Sequence, residues 1–269
     1  MSENNNPLVS VIIGTYNRSD KLKRCIDSIL RQDYKNLEVI VIDDNSTDNT
    51  RSYLKTLELT FPYKLIFHTN SENKGISFNS NFGFSKCNGE FIALIGDDDY
   101  WHDTNKISKQ VNAILHSESN IVCSWWYEKD SNDILREKCP TLKGDIISRI
   151  LLKGGIVCGS TPLIRRSAWE KVGGFDEKMK RGTDSDLFRR IILEYGKLPI
   201  MIEQFTTTVD VSGNDRMTSN KLKSNFLDHL ASNNRTIYKF WKILLLHPKA
   251  LSGRILRSIK LFAKYMLLN

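Results

Sequence analysis

Apolar and polar positions fall in blocks along the first hundred residues, and the period changes from block to block. Leu8–Ile13 is a β-branched apolar run ending in Gly14-Thr15-Tyr16-Asn17, which predicts a strand closing in a turn. Leu22, Cys25, Ile26, Ile29 and Leu30 then recur at the spacing of one helix face, with Ser19 placed as its cap. Leu37–Ile42 repeats the strand pattern into Asp43-Asp44-Asn45-Ser46. A second helix, capped by Ser46 or Thr47, follows to about Leu57. A strand over Lys64–His68, a helix from about Ile76 to Cys87 and a strand over Phe91–Ile95 complete the series and run into Gly96-Asp97-Asp98-Asp99. Strands and helices in this strict alternation predict a parallel, doubly wound α/β sheet. Ligands of such sheets lie beyond the carboxyl ends of the strands, so segments 14–18, 43–48 and 96–101 should converge on one crevice.

The pattern beyond residue 101 is less regular. Asn120–Tyr127 reads as a strand carrying two tryptophans. Gly154 to Arg166 is a small-residue loop entering Ser167-Ala-Trp-Glu170, which has the S-x-x-E form of a capping box. Gly173–Asp176 is a turn, and Leu187–Tyr195 a helix begun by Asp184-Ser185-Asp186. Near the end Ile255, Leu256, Ile259, Phe262, Ala263 and Met266 recur at helical spacing. Arg254, Arg257, Lys260 and Lys264 take much of the other face. The core is read as 1–218, divided into halves of about 8–101 and 102–218, with a basic amphipathic helical tail over 219–269.

Composition narrows the class. At 40% hydrophobic and 26% charged residues the chain is an ordinary globular protein, not a disordered one. The longest apolar stretch, about Phe240 to Leu246, is too short for a membrane span and contains Lys242. The start, MSENNNP, lacks the pattern of a secretory signal, and five scattered cysteines without a C-x-x-C pair fit a reducing compartment. A cytoplasmic location is therefore expected. The formal charge of +8 is concentrated: from Lys221 onward ten Lys and Arg face one acid, Asp228, which leaves the first 220 residues at −1. That distribution argues against affinity of the whole protein for nucleic acid and asks for a local explanation of the tail.

The acidic clusters carry the candidate chemistry. Asp97, Asp98 and Asp99 repel one another unless a cation or hydrogen-bond donors neutralise them. A hard divalent ion with oxygen ligands does so, and such ions also hold substrate phosphates. A solvated acidic turn, or acids at a helix N-terminus, is the plain alternative. Asp43 and Asp44 end a second strand in the same crevice, where they can bind metal, accept from a ribose or base, or cap a helix.

The segments VSVIIGTYNR, VIVIDDNSTDNT, ENKGISFNSNFG and NGEFIALIGDDDYW, followed by TPLIRRSAWEKVGGFDE and GTDSDLFRR, resemble family 2 glycosyltransferases in order and approximate spacing over about residues 8–217. The resemblance implies a GT-A fold: a Rossmann-like, mostly parallel sheet flanked by helices. It also implies inverting, metal-dependent transfer of a sugar from a nucleotide diphosphate, read as UDP, to an acceptor hydroxyl. The acceptor class read here is a lipid-linked saccharide of cell-surface polysaccharide synthesis. By the same resemblance Thr15, Asp43, Asp44 and Asp97 bind the nucleotide. Asp98 and Asp99 hold Mn²⁺ or Mg²⁺ at a D-x-D-like motif, and Asp184 is the general base, which otherwise reads as a helix cap. The chain departs from the family pattern in three places. Gly96 replaces the first Asp of D-x-D, and Ser80 stands where many members have Arg. Val211-Ser212-Gly213-Asn214 occupies the place of a frequent His, with Asn214, Asp215 or Arg216 left to reach the diphosphate.

Several features read more plainly. Trp125, Trp126 and Trp169 can stack on sugars but more commonly belong to a core. Gly159, Ser160 and Thr161 are expected near the donor sugar or acceptor, and His68, His102 and His116 show no ligand spacing. A nucleotidyltransferase is disfavoured because the first loop is not Gly-rich, and a sugar-nucleotide-binding protein without turnover is disfavoured by the intact Asp44, Asp98 and Asp184. The tail is expected to dock on an anionic membrane, making the protein peripheral on the inner face. Packing on the core or on a second subunit is the alternative.

Overall fold

A computed structural model describes residues 6–152, 156–212 and 223–266. The first half is the alternation expected: β1 (Val9–Thr15), α1 (Ser19–Leu30), β2 (Leu37–Asp43), α2 (Thr50–Thr60), β3 (Lys64–Thr69), α3 (Ile76–Phe84) and β4 (Phe91–Leu94). The second half adds β5 (Tyr100–Trp101), α4 (Lys106–Leu115), β6 (Ile121–Lys129), β7 (Leu135–Lys138), α5 (Ile146–Leu152), β8 (Leu163–Arg165), α6 (Arg166–Val172), α7 (Thr183–Tyr195) and β9 (Ile200–Asp210). The helices α8 (Lys223–Leu245) and α9 (Pro248–Met266) end the described chain.

The strands join one sheet in the order β3-β2-β1-β4-β8-β6-β9-β5, with β7 paired to β6. From β3 to β4 the pairing is parallel, and β8 enters antiparallel to both β4 and β6. Strands β1 and β2 have helices on both faces, which is why they read as continuous apolar runs rather than as an alternation. Successive side chains still point to opposite faces. Val9, Val11, Ile13, Val39 and Val41 pack with α1 and α4 on one side. Ile12, Ile40, Ile42, Ile92 and Leu94 pack with α5, α6 and α7 on the other. Trp169 belongs to this second core, stacked on Phe84 at 4.9 Å, and Trp126 is buried too.

Three local readings need correction. Helix α1 begins at Ser19 without a side-chain cap of its own, and Asp48 Oδ2 instead accepts from Ser19 N at 3.0 Å. Helix α2 begins at Thr50, three residues past Thr47, where Asp48 Oδ1 accepts from Thr50 N. Ser167 lies inside α6 and caps nothing, while Glu170 pairs with Arg166 at 2.9 Å, so the S-x-x-E sequence forms no capping box.

Lys106 is buried behind the sheet, its Nζ 2.7 Å from Gln110 Oε1 and 4.3 Å from the centre of the Trp101 ring. Burial lowers its pKa to about 7. Between about pH 7 and the ordinary lysine range near 10 the unfolded chain binds a proton that the native state does not. Native stability should therefore rise with pH there, by at most about 1.4 kcal/mol per unit from this group. Lys106→Met should flatten that slope, as read from chemical denaturation at a series of pH values. Equal slopes in the two proteins would contradict the assignment.

The tail folds back on the core. Helices α8 and α9 close a small satellite core of Leu151, Phe240, Leu244 and Ala250. Arg235 pairs with Asp176, and Lys239 reaches Asp186 at 2.9 Å. Arg254, expected on the solvent face, is buried: its Nε donates to Leu151 O and its Nη1 to Asn233 Oδ1, each at 2.7 Å. Among the described residues no helix is long and apolar enough to cross a membrane.

Candidate active site

The crevice is built from the carboxyl ends of β1, β2 and β4. Thr15 closes β1 opposite Asp43 of β2, and Asp44 N donates to Thr15 O at 2.8 Å. Asn17, in the left-handed region at φ 52°, laces the two loops together. Its N donates to Ser46 Oγ, and its Oδ1 accepts from Thr47 N. The buried Thr15 hydroxyl lies in this floor without a well-formed hydrogen bond.

The two acids after β2 do different work. Asp43 is fully buried, accepts from Ser46 N at 3.0 Å through Oδ1, and lies 3.4 Å from Arg51 through Oδ2. It holds its own loop. Asp44 reaches across to the next one: Oδ1 accepts from Asn70 Nδ2 and Lys74 N at 2.8 Å, and Oδ2 from Gly75 N at 2.9 Å. A carboxylate has about four acceptor directions, so one remains on Oδ2.

The turn after β4 carries the three consecutive aspartates, and its geometry explains Gly96. A methyl group at position 96 would sit 3.0 Å from Asp98 Oδ1 and 3.2 Å from Asp99 Oδ2, so a larger residue there would crowd both carboxylates. Asp99 turns inward. Its Oδ1 accepts from Asp210 N at 2.9 Å, its Oδ2 from the Ser160 hydroxyl, and Ser160 Oγ in turn accepts from Gly96 N at 2.9 Å. Asp99 thus braces three segments together. Asp97 and Asp98 share Arg18, whose Nη1 lies 2.9 Å from Asp97 Oδ1 and 3.1 Å from Asp98 Oδ2. Burial pushes the Asp97 carboxyl above the ordinary range against the pull of Arg18, and the Asp98 charge adds to the rise. Arg24 completes the rim, donating to Asp98 O and pairing with Asp210 at 3.0 Å.

Asp184 is contributed by a helix of the second half. It lies in the first turn of α7, whose N-cap is Gly182 with no side-chain cap bond. Its Oδ1 accepts from Ser185 N at 2.7 Å, and a methyl group at Gly159 would stand 3.4 Å from its Oδ2. Burial raises its pKa above the usual carboxylate range. The Cys158 thiol is pushed up by burial, then by Asp99, with a smaller contribution from Asp184. The tripeptide Cys158-Gly159-Ser160 therefore has Asp184 against its glycine and Asp99 against its serine. Asp186, one turn position on, is ion-paired instead: Arg190 and Lys239 each lie 2.9 Å from its Oδ2.

Sequence reasoning located the acids and missed what connects them. Arg18 was visible in the TYNR segment, and Asp210 follows a β-branched run in the way that Asp43 does. Ser160 was expected nearby without a role. Ser80 is buried on α3. Its neighbour Asn81 bonds Phe175 N and O, tying α3 to the 173–177 turn. Trp125 lies against Phe205, and His102 bonds Thr208 Oγ1 and Phe205 O. Asn214, Asp215 and Arg216, and the boundary near Met217–Lys221, lie outside the described residues.

Residues 10–173 match the family described as Glycosyl transferase family 2. An Escherichia coli (strain K12) protein named "Putative colanic acid biosynthesis glycosyl transferase WcaA" is 31% identical over 229 residues, 81% of this chain and 78% of its own. A 93-residue stretch, 35% of this chain, is 40% identical to the GalNAc(5)-diNAcBac-PP-undecaprenol beta-1,3-glucosyltransferase of Campylobacter jejuni and spans 30% of that protein. An uncharacterized glycosyltransferase of Rickettsia typhi is 32% identical over 200 residues, 69% of this chain and 59% of the relative's length. Among solved structures, a mannosyltransferase from Pyrobaculum calidifontis in complex with GDP-Man and Mn²⁺ superposes with a TM-score of 0.66 at 19% identity, covering 98% of this chain and 76% of its own. S. aureus TarS 1–349 with UDP-GlcNAc gives 0.67 at 17% identity, covering 86% and 66%. At such identities the structural likeness shows the fold.

Proposed function

The chain belongs to glycosyltransferase family 2, and from that premise we propose that it moves a sugar from a nucleotide diphosphate, UDP in our reading, onto an acceptor hydroxyl with inversion. The observation that carries the proposal is the meeting of residues 158–160 with two separate acidic sites. Asp184, half-buried and with a raised pKa, lies against Gly159, and the Asp97–Asp99 turn with Arg18 is bonded to Ser160 through Asp99. A donor seated over this tripeptide would present its anomeric carbon to an acceptor held beside Asp184 and its diphosphate to the turn.

Each side chain then has a task. Asp184 takes the proton of the acceptor hydroxyl as that oxygen attacks, which general bases with raised pKa do well near neutral pH. Attack from this side with departure on the other inverts the anomeric centre. The 14–18 and 70–75 loops, joined through Thr15 and Asp44, frame the base, and the remaining acceptor direction of Asp44 suits a ring N–H such as that of uracil. Asp43 stiffens the floor from below. Asp97 and Asp98 form the diphosphate end, with Arg18 as their counter-charge and Asp99 as the brace that fixes the turn.

The residues fit a divalent cation, Mn²⁺ or Mg²⁺. Among the described residues no three His, Cys, Asp or Glu form a closed ligand cage. A hard cation of this kind is commonly held by one or two carboxylates together with substrate phosphates, and Asp98, 15% exposed with Asp97 beside it, is such a donor set. When bound, the cation supplies the charge that offsets the departing diphosphate. The names of the relatives support an acceptor class of lipid-linked saccharide in polysaccharide synthesis, and the reading adds a protein peripheral on the inner face of a membrane.

The test is a panel of nucleotide sugars assayed for release of nucleoside diphosphate, with and without Mn²⁺ or Mg²⁺ and with lipid-linked acceptors. One donor should dominate, and its turnover should vanish in excess EDTA. Tight donor binding with no release under any condition would favour a binding protein without turnover.

A further inference from the structure

Helix α9 packs with an unusual choice of faces. The side that meets α5 and α8 is mostly small or polar, with Ala250, Gly253, Arg254 and Ser258 beside Leu251. A methyl group at Gly253 would lie 2.5 Å from Leu152 Cδ1, so a larger residue there would push the Leu152 side chain aside. Arg254 donates to Leu151 O and Asn233 Oδ1, and Ser258 bonds Asn233 and Asn234. The outward side is the apolar one. Ile255, Ile259, Phe262 and Met266, spaced i, i+4, i+7 and i+11, are 47%, 59%, 53% and 54% exposed. The end of α8 and the residue after it add Tyr238, Trp241, Leu245 and Leu246, all exposed.

Cations border this apolar surface. A shallow cavity of about 290 Å³ beside the stripe is lined by Gly253, Leu256, Arg257, Lys260, Leu261 and Lys264. Lys242 and Lys249 are exposed near the α8–α9 corner. No Asp or Glu occurs from residue 229 to 269. A two-fold contact between copies sets a patch against itself, so it would bring these cations together with no acid to meet them. An anionic lipid surface answers both properties at once. Its phosphates meet the cations, and its acyl boundary takes the apolar stripe, with indole and phenol groups at the headgroup level.

We propose that the outward face of α9, joined by the α8–α9 corner, is the surface by which this protein docks on an anionic membrane, with Arg257 and Lys260 of the cavity placed to receive lipid phosphates. The proposal rests on the reading that the acceptor is lipid-linked and adds where the enzyme meets the lipid.

The full chain should co-sediment with vesicles of phosphatidylcholine containing phosphatidylglycerol and not with phosphatidylcholine alone. High salt should release it. Ile259→Asp with Phe262→Asp should weaken binding at least tenfold, and Arg257→Gln with Lys260→Gln should abolish the preference for phosphatidylglycerol. All four positions are exposed, so circular dichroism and nucleoside diphosphate affinity should match the parent. Parent protein that ignores anionic vesicles, variants that bind them as well as the parent, or a parent dimer that the Asp variants dissolve would each overturn the proposal. Vesicle binding without sugar transfer would leave the surface standing and refute the enzymatic reading. Transfer to a water-soluble acceptor by a protein that binds no vesicle would do the reverse.

Discussion

Asp184→Asn is expected to lower turnover by roughly 10²-fold or more while leaving nucleotide-sugar affinity within a few-fold, the scale of a lost general base. Stability should move the other way from that of an ion-paired carboxylate, whose pKa is depressed. The folded-state pKa of Asp184 is raised by burial. Its contribution to stability is therefore full below the unfolded carboxylate range and is lost as pH rises through the folded value. At neutral pH the charged group is a cost to the fold, so the amide should melt at the same temperature or higher. Asp186→Asn makes the contrast. That residue is fully buried with Arg190 and Lys239 at 2.9 Å and Arg189 at 4.0 Å, and losing its charge should destabilise by about 3–5 kcal/mol. Steady-state kinetics and thermal melts of both variants decide the matter. A fall in melting temperature with turnover preserved in Asp184→Asn would make that residue structural and move the base elsewhere.

The parts of the fold legible in the sequence were those where one physical demand governs a whole segment. Residues 9–13 and 37–43 are buried along their lengths between helical layers, so their apolar runs announce parallel central strands. The face of α1 is equally plain because Leu22, Cys25, Ile26 and Ile29 are all fully buried. Elements that depend on partners far along the chain were harder. Strand β5 has two residues and exists through Thr207 and Thr208, and exposed, charged β7 exists through its pairing with β6. Arg254 shows the limit of periodicity. Its charge assigns it to solvent, yet a carbonyl from α5 and an asparagine from α8 satisfy it inside.

The site divided in the same way. An acid after an apolar strand marks a carboxyl end, so Asp43, Asp44 and the three aspartates from 97 to 99 were found by position. What separates their roles is contact at long range. Asp99 is set apart from Asp98 by Ser160, 61 residues away, and by the backbone of Asp210, 111 residues away. Nothing in the local string Asp97-Asp98-Asp99 distinguishes the brace, Asp99, from the half-buried Asp98 on the rim.

Asp98→Ala should reduce turnover by roughly 10³-fold, since the charge stabilisation from a bound cation is worth several kcal/mol and each 1.36 kcal/mol is a factor of ten. It should also remove the effect of Mn²⁺ on nucleoside diphosphate affinity, measured by calorimetry with and without the ion. The fold should hardly notice. Arg18 keeps Asp97 at 2.9 Å when Asp98 is gone, and the Asp98 backbone carbonyl that Arg24 uses is unchanged by the substitution. Asp99→Ala is the control with a different signature. It leaves Asp210 N and the Ser160 hydroxyl without their acceptor, so stability should fall by about 1–3 kcal/mol per orphaned group along with the rate. Equal melting losses in the two variants would mean that Asp98, too, acts through the frame. Undiminished turnover of the parent in excess EDTA would remove the cation from the reaction and leave Arg18, already paired with both carboxylates, as the charge nearest the leaving diphosphate.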